Sequence, residues 1–361
     1  MLLKDLFDFL PKSSRPASYG RKEGKYPFFT SSNTIDSFVD VADFDGEFLI
    51  IGDGGTGNCK YYNGPFSASD HNFILKPKAG TNSIAVRYFL MKNHYEILNK
   101  GFKGVGIKNV SKTYIENIDY KKNSSLPEAE IVQILSEIEN KIEHANYKLL
   151  SYDELVKSRF IEMFKTIDLS EQKDDWVEIE SKSRIITGTT PSTNDESNWG
   201  GNILWITPAE MTKETFYVYD TTRKLTENGR KSKSLELMPE GTVLLSTRAP
   251  IGKVGIVGKP MACNQGFKNF ICDSSVNPIF LYVLLKNNTD YLNSLGSGTT
   301  FLEISKTKIG KMKIPVPEIK KQIEFAEFVK LIDKSKFIVR KEIELLQELL
   351  DSKMNEYFSD N

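Results

Sequence analysis

The sequence predicts an α+β fold built as a tandem repeat, in which a β-rich domain followed by a long helix occurs twice. Three observations predict it: matching segments lie 194 residues apart, two long stretches carry apolar residues at alternating steps of 3 and 4, and short apolar runs broken by Gly, Pro and Asn fill the rest. Steps of 3 and 4 are typical of a coiled-coil seam, so we expect the two helices to pair with each other. A repeat that closes about a pseudo-two-fold axis pairs them antiparallel.

The repeat is visible at two offsets. Val110-Ser-Lys-Thr-Tyr-Ile115 reappears as Ile304-Ser-Lys-Thr-Lys-Ile309, at an offset of 194. Nearer the start, Tyr26–Thr30 matches Ile203–Thr207 at an offset of 177. Self-similarity of this kind indicates that one structural unit has been duplicated. The difference of 17 residues predicts an insertion in the second copy, roughly between residues 209 and 238.

The β-rich copies are each expected to contain a curved mixed sheet, with a short helix near residues 86–99 and 278–293. Phe48–Ile51 and its copy Val243–Leu245 are typical of strands. The predicted organisation has the first domain at 1–125, the central spacer helix at 126–165, a linker at 166–173, the second domain at 174–316 and the C-terminal spacer helix at 317–358.

The two long helices begin at Pro127 and Pro317, where proline is tolerated. Lys336 falls on the predicted seam, and we expect its ammonium to extend to solvent. The residues predicted to form the interface between the helices are Ile131, Leu135, Ile138, Ile142, Leu149 and Val156 in the first, and Phe325, Val329, Ile332, Val339, Ile343, Leu346 and Leu350 in the second.

Composition excludes several classes of protein. The 361 residues, 39% of them hydrophobic, suffice for two domains, and the longest apolar runs are too short to cross a bilayer. The start of the chain lacks the apolar region of a signal peptide, and three cysteines without a CxxC suit a reducing cytoplasm. The net charge is zero, but the two β-rich segments together carry +7 and the helical segments −7. Local charge decides which face a polyanion approaches.

The segments that resemble catalytic or metal-binding motifs each lack residues that the motif requires. Phe102–Gly106 has the F-x-G-x-G spacing of a methyltransferase cofactor loop, but its repeat partner, residues 296–300, loses the second glycine. Gly52–Gly57 resembles a phosphate loop without the Gly-Lys-Ser/Thr that would bind phosphate and magnesium. His71, His94 and His144 are scattered and accompany no cysteine pattern, which argues against a metal site. The sequence therefore predicts a chain without catalytic activity.

Signals for binding are clearer. Arg223–Lys233, inside the predicted insertion, combines five cations with Thr, Asn and Ser. Cations neutralise phosphates, and Asn or Arg can make paired hydrogen bonds to base edges. Thr187–Ser192 and Thr30–Asn33 supply hydroxyls and amides in predicted loops. A solvated charged loop and ordinary turn chemistry remain alternatives for these segments.

An ordered set of segments resembles the specificity (S) subunits of type I restriction–modification enzymes, over nearly the whole chain. The set is Thr187-Gly-Thr-Thr-Pro-Ser192, Trp199-Gly-Gly-Asn-Ile-Leu-Trp-Ile-Thr207, Ser246-Thr-Arg-Ala-Pro-Ile-Gly252, Asn264-Gln-Gly-Phe267, residues 298–304 and Ile314-Pro-Val-Pro317. The first copy is more divergent and starts without an equivalent of Asp175–Val177.

The resemblance implies that each β-rich domain is a target recognition domain for one half of a bipartite double-stranded DNA sequence, with the helices as spacers. It implies two methyltransferase (M) subunits and restriction (R) subunits as partners, and it implies no association with a membrane. S-adenosylmethionine, ATP and magnesium would bind to those partners, and this chain would hold no cofactor or metal. Two alternatives stay open: a recognition fragment of a fused restriction–methyltransferase enzyme, and a protein-binding scaffold.

The predicted DNA-contacting residues follow from residue chemistry and loop placement, since base contacts vary within the family. In the first domain they are Ser13, Ser14, Arg15, Tyr19, Arg21, Lys22, Ser31, Ser32, Asn33, Lys60 and His71. In the second they are Thr189, Thr190, Ser192, Thr207, Arg223, Lys224, Asn228, Arg230, Lys231, Lys233, Arg248 and Gln265.

Overall fold

A computed structural model describes residues 1–106, 108–212, 214–297 and 302–358 and divides the chain into two compact units. Unit 1 comprises Met1–Tyr147 with the described part of Arg340–Asn361, and unit 2 comprises Lys148–Val339. Each unit contains one β-rich domain and part of both long helices. The predicted α+β organisation with two domains is confirmed.

The first β-rich domain is followed by the first long helix. The elements are α1 (Leu3–Leu6), β1 (Phe7–Phe9), β2 (Tyr26–Phe29), β3 (Phe38–Val39), β4 (Glu47–Gly52), β5 (Cys59–Asn63), β6 (Ser67–Ala68), β7 (Asn72–Pro77), α2 (Ser83–Asn99, kinked at 92–95), β8 (Phe102–Lys103), β9 (Asn109–Val110), α3 (Lys112–Glu116) and α4 (Glu128–Phe164).

The second β-rich domain repeats this order with additions. Its elements are β10 (Val177–Glu178), β11 (Ser183–Ile186), β12 (Trp199–Ile206), β13 (Tyr217–Val218), β14 (Arg223–Leu225), α5 (Glu227–Ser232), β15 (Val243–Leu245), β16 (Val254–Val257), β17 (Met261–Cys263), β18 (Asn269–Cys272), α6 (Pro278–Asn287), α7 (Thr289–Ser294), α8 (Lys306–Gly310), β19 (Lys313–Ile314) and α9 (Ile319–Phe358).

The strand order of the first domain recurs in the second, where the larger sheet gains one edge strand, β13. In unit 1 the order β1-β7-β4-β5 forms an antiparallel sheet, and β3-β2-β6 forms a mixed one. In unit 2 the corresponding orders are β11-β18-β15-β16-β13 and β14-β12-β17. β2 runs parallel to β6, as β12 does to β17. A two-stranded sheet completes each domain, β8-β9 in the first and β10-β19 in the second. Each domain therefore holds three separate sheets where we expected one curved mixed sheet.

The shared Ser-Lys-Thr motif is a helix N-cap in both copies. Ser111 Oγ accepts a hydrogen bond from the backbone N of Tyr114 (3.2 Å) at the start of α3. Ser305 Oγ accepts the equivalent bond from the backbone N of Lys308 (3.1 Å) at the start of α8. A side-chain cap satisfies a backbone donor that the helix leaves unpaired, and it contributes about 1 kcal/mol.

The insertion of the second copy is folded, although its charge and polarity suggested a loop. β14 pairs antiparallel with β12, as β3 does with β2, and α5 follows β14 directly. Thr226 caps α5, because its side chain accepts a hydrogen bond from the backbone N of Gly229 (3.0 Å). The cations of this segment are thus held on a strand and a short helix.

The glycines of Phe102–Gly106 belong to a turn. They lie in the connection between β8 and β9, and Gly106 has φ +88°, in the left-handed region that favours glycine. Of the repeat partner, residues 296–300, positions 298–300 lie outside the described residues.

The long helices pair antiparallel within each unit, as predicted. In unit 2 the rings of Phe160, near the end of α4, and Phe325, near the start of α9, lie 5.5 Å apart. In unit 1 Ile131 and Leu135, at the start of α4, share one apolar cluster with Leu350 and Met354, near the end of α9. All thirteen predicted interface residues are buried or half-buried.

Lys336 does not extend to solvent. Its residue is 8% exposed, and its ammonium lies 2.5 Å from a carboxylate oxygen of Asp153 on α4, within unit 2. The polar position on the seam is therefore satisfied by an ion pair between the two helices. None of the helices among the described residues is long and apolar enough to span a membrane.

Candidate nucleic-acid interface

Two tryptophans of β12 pack together and bind the loop that precedes this strand in unit 2. Trp205 is 2% exposed and its indole N–H donates to the carbonyl of Thr189 (3.2 Å). Trp199 is half-buried, packs edge-to-face on Trp205 at 5.0 Å and donates to the carbonyl of Ser192 (3.0 Å). The indole pair therefore holds both ends of the loop that carries the predicted contacts Thr189, Thr190 and Ser192.

This loop approaches the backbone of β17 closely. A Cβ at Gly188 would lie 1.8 Å from the carbonyl oxygen of Cys263, which explains why glycine occurs in Thr187-Gly-Thr-Thr. Thr190 Oγ1 donates to Gln265 Oε1 (2.8 Å), so two predicted contacts from distant segments meet. Thr207 instead hydrogen-bonds Glu210 through both its backbone N and its hydroxyl, which makes it part of a local turn.

Arg223 lies against the same tryptophans. Its guanidinium carbon is 3.5 Å from the ring centroid of Trp199 and 5.5 Å from that of Trp205. Thr221 Oγ1 accepts from the Trp205 backbone N (3.1 Å) and donates to the Arg223 carbonyl (2.8 Å), which fastens β14 to β12. Arg223, Thr189 and Ser192 thus come together around one aromatic pair.

The other cations of the insertion have acidic partners. Lys224 pairs with Asp220 (2.9 Å). Arg230 pairs with Glu227 at 2.5 Å, and Lys231 lies 3.7 Å from the same carboxylate. The hydrogen bond from Arg230 holds the pKa of Glu227 below its usual value. Asn228 donates to Ser197 Oγ (2.9 Å), and Lys233 is exposed beyond the end of α5.

Arg248 belongs to a cluster with two cations and one carboxylate. Its Nε donates to Glu303 Oε2 (2.9 Å), while buried Lys268 donates to Glu303 Oε1 (3.2 Å). Burial disfavours the charged carboxylate, but the bonds from Lys268 and Arg248 outweigh it and lower the pKa of Glu303. The cluster keeps one positive charge beside the Ser246–Gly252 loop.

The predicted arginines of unit 1 are also paired. Arg15 donates to both oxygens of Asp43 (2.7 and 2.8 Å) and lies 4.5 Å from the ring of Tyr19. Its hydrogen bond lowers the pKa of Asp43. Arg21 pairs with exposed Asp40. Ser13 Oγ accepts from the backbone N of Arg15 (3.1 Å), whereas Ser14 and Lys22 are simply exposed.

Three further predicted residues of unit 1 converge. Ser31 Oγ donates to the His71 carbonyl (2.6 Å), and the Ser31 carbonyl accepts from Asn58 (2.9 Å). Lys60 donates to Asn58 Oδ1 (3.0 Å), and burial lowers the pKa of its ammonium. Ser32 bonds the hydroxyl of Thr34, and Asn33 is exposed.

Asp53 is a residue that sequence reasoning missed. It is buried, forms an ion pair with Lys12 and lies 3.1 Å from His71 Nδ1. In the sequence, only its position inside Gly52–Gly57 pointed to Asp53, and that segment was compared only with phosphate-binding loops. The predicted contact residues are all half-buried or exposed. No group of three or more metal-ligating side chains is found in the described ranges.

The chain belongs to a known family. Residues 1–151 and 173–348 match the model of the type I restriction modification DNA specificity domain. The two matched regions contain the two β-rich domains, in agreement with the repeat of strand order.

Individual relatives agree with this family. The type I restriction enzyme MjaIX specificity subunit of Methanocaldococcus jannaschii is 34% identical over 211 residues, 57% of this chain and 49% of that protein. The chain thus spans about half the length of this relative. The MjaVIII specificity subunit of the same organism is 23% identical over 92% of this chain and 85% of its own. The crystal structure of the S subunit from M. genitalium has a TM-score of 0.62 at 15% identity, covering 100% of this chain and 96% of that one.

Proposed function

We propose that this chain is the non-catalytic DNA-specificity component of a type I restriction–modification complex, in which each unit reads one half of a bipartite sequence. The observation that carries the proposal is the repeated strand order in two units of one chain, each presenting exposed cations, hydroxyls and amides. Two copies of one reader fit a target with two separated halves. Membership of the specificity family supports the same conclusion.

The long helices would set the distance between the half-sites. α4 has 37 residues and α9 has 40, and both continue from one unit into the other. At 1.5 Å per residue each is about 55–60 Å long. Helical backbone hydrogen bonds make such elements stiff enough to serve as a spacer.

The helices would also bind two methyltransferase subunits. In unit 2, Leu331, Phe337 and Ile338 of α9 are 60–66% exposed. Large apolar side chains grouped on one helix are typical of a partner interface. Leu155 and Leu349, at equivalent positions of the repeat, are both about 45% exposed, so each unit has one matching apolar side chain on its long helices.

The remaining partners follow from the same proposal. Restriction subunits would join the assembled complex in the cytoplasm. S-adenosylmethionine, ATP and magnesium would bind to the methyltransferase and restriction subunits, and this chain would supply recognition.

The test is a methylation map. The chain is expressed with its methyltransferase partner in a host without endogenous adenine methylation, and methylated sites are read by sequencing. We expect one bipartite target, and we expect replacement of residues 174–316 by another recognition domain to change only one half of it. A change in both halves would overturn independent reading by the two units.

A second measurement tests the absence of catalysis. The purified chain alone should incorporate no labelled methyl groups into DNA and should not cleave it. Methyl transfer by the chain without partners would contradict the proposal.

A further inference from the structure

Arg223 differs from the other predicted cations on strands and helices of unit 2. Lys224, Arg230 and Lys231 each lie within 4 Å of a carboxylate. Arg223 is exposed, and among the described residues it forms no ion pair and no side-chain hydrogen bond. Its charge and its five N–H donors are therefore uncommitted.

The position of the Arg223 side chain is nevertheless fixed. β14 holds its backbone against β12 at the pair Trp205–Arg223, and Thr221 bonds both residues of that pair. The guanidinium lies 3.5 Å from the centroid of Trp199, with Trp205 as a second aromatic neighbour. An arginine that stacks on an indole uses its π face, so the N–H groups at its edge remain available.

We propose that Arg223 is a base-reading residue of unit 2, which makes two hydrogen bonds to a guanine in the major groove. The inference rests on the proposed DNA-recognition function. Guanine offers two acceptors, O6 and N7, that match the fork of a guanidinium, and this is the commonest specific contact of arginine with DNA. A phosphate contact needs only a positive charge, which exposed Lys233 could supply without being oriented.

Orientation before binding favours a specific contact. A free arginine side chain loses rotamer freedom when it is fixed on a base, and that loss weakens binding. Stacking on Trp199 has already restricted Arg223 in the unbound chain. The loop that carries Thr189 and Ser192 is bonded to the same two indoles, so the donors around Arg223 are held with it.

Unit 1 contains a related arrangement that lacks the free donors. Phe28, the repeat equivalent of Trp205, packs with Tyr19 at 6.0 Å, and Arg15 lies 4.5 Å from the ring of Tyr19. The fork of Arg15, however, is occupied by Asp43 at 2.7 and 2.8 Å. We therefore assign guanine reading to the stacked arginine of unit 2 and not to that of unit 1.

The experiment uses the full chain with its methyltransferase partner and the variants Arg223→Ala and Arg223→Lys. Arg184→Ala is the matched control, because Arg184 is an exposed arginine of unit 2 paired with Glu236 (2.6 Å). Each complex is given DNA in which every base pair of the mapped target is replaced in turn. Binding is measured by competition at several salt concentrations, and thermal unfolding verifies that each variant is folded.

We expect both Arg223 variants to lose discrimination at one G·C position of one half-site, by about 5- to 150-fold. The lysine variant fails as well because an ammonium cannot make the paired contact. The salt dependence of binding should stay that of the unaltered complex, because no phosphate contact is lost. Arg184→Ala should match the unaltered complex throughout.

Two results would overturn the inference while leaving the proposed function intact. One is an unchanged base preference in both Arg223 variants. The other is uniform weakening on all sequences with a salt slope lower by about 1, which would assign Arg223 to a phosphate. If the unaltered complex itself shows no sequence preference, the proposed function fails and the inference falls with it.

Discussion

At the scale of single residues, ion pairs decide which cations of Arg223–Lys233 are available to bind DNA. The sequence predicted five cations on a loop, whereas the structure gives Lys224, Arg230 and Lys231 acidic neighbours and leaves Arg223 stacked on Trp199. A charge count along the chain does not distinguish these cases, because Asp220 and Glu227 acquire their partners only when β14 and α5 form.

Arg230 and Lys231 provide a test of this distinction. Replacing both with Ala should lower the salt slope of DNA binding by the assembled complex by at most about 2, and nearer 1 because Glu227 already offsets part of their charge. Glu227→Gln is the matched control and should leave both cations in place while strengthening binding. If neither change alters the slope, α5 is solvated surface away from the DNA.

The three cysteines are expected to be inert in the native chain. Burial raises the pKa of the Cys59, Cys263 and Cys272 thiols to about 12. Because the thiolate is the nucleophile, only about one thiol in ten thousand is reactive at pH 8. Iodoacetamide at pH 8 should modify none of them in the native chain and all three in denaturant, as measured by mass spectrometry. Rapid labelling of any one in the native chain would contradict its burial.

At the scale of elements, the apolar periodicity of the long helices predicted their extents and their pairing, because the apolar residues of the seam lie on one face of each helix and such a face packs against another helix. The strands of the second β-rich domain were harder to predict from the sequence. These short strands are specified by distant partners, as when β12 pairs with both β14 and β17, and no local pattern records such partners. The Trp199–Trp205 pair illustrates the same limit, since only the fold brings Arg223 onto it.

The pair formed by Lys336 and Asp153 tests how the helices are held in unit 2. Asp153→Ala should lower the free energy of unfolding by about 1–3 kcal/mol, because it leaves a buried ammonium without its carboxylate; partial exposure of Asp153 keeps the effect below that of a fully buried pair. Lys336→Leu should be neutral or slightly stabilising, because it completes the apolar seam.

The double variant with both changes separates the two effects. It should recover nearly the original stability, since no charge is then left unpaired. Urea unfolding followed by circular dichroism measures all four proteins. A double variant as unstable as Asp153→Ala alone would mean that Asp153 acts through another contact, such as Lys286 at 3.9 Å.

At the scale of the whole molecule, the duplication was predictable in outline and the individual contacts were not. The offsets of 194 and 177 place α3 on α8 and β2 on β12, because strand and helix positions persist when sequences diverge. Side chains on the exposed surface have diverged further. Arg223 has no stacked equivalent at its own strand position in unit 1, where Ser37 faces Phe28. One fold with two different surfaces suits the proposed target, in which the two half-sites differ.

The proposed spacer role of the helices leads to the last prediction, which concerns the gap between half-sites. One heptad is inserted into each long helix at the boundary between the units, after Tyr147 and after Val339. A heptad preserves the apolar seam, because the seam repeats every seven residues, and it lengthens each helix by about 10 Å. About three base pairs span that length, since DNA rises 3.4 Å per step. We therefore expect the methylation map to show an unread gap longer by about two to four base pairs, with both half-sites unchanged. Insertion into α4 alone is the matched control and should disturb pairing with α9 and reduce assembly. A protein with both insertions that assembles and methylates at the original gap would show that the helices do not set the spacing.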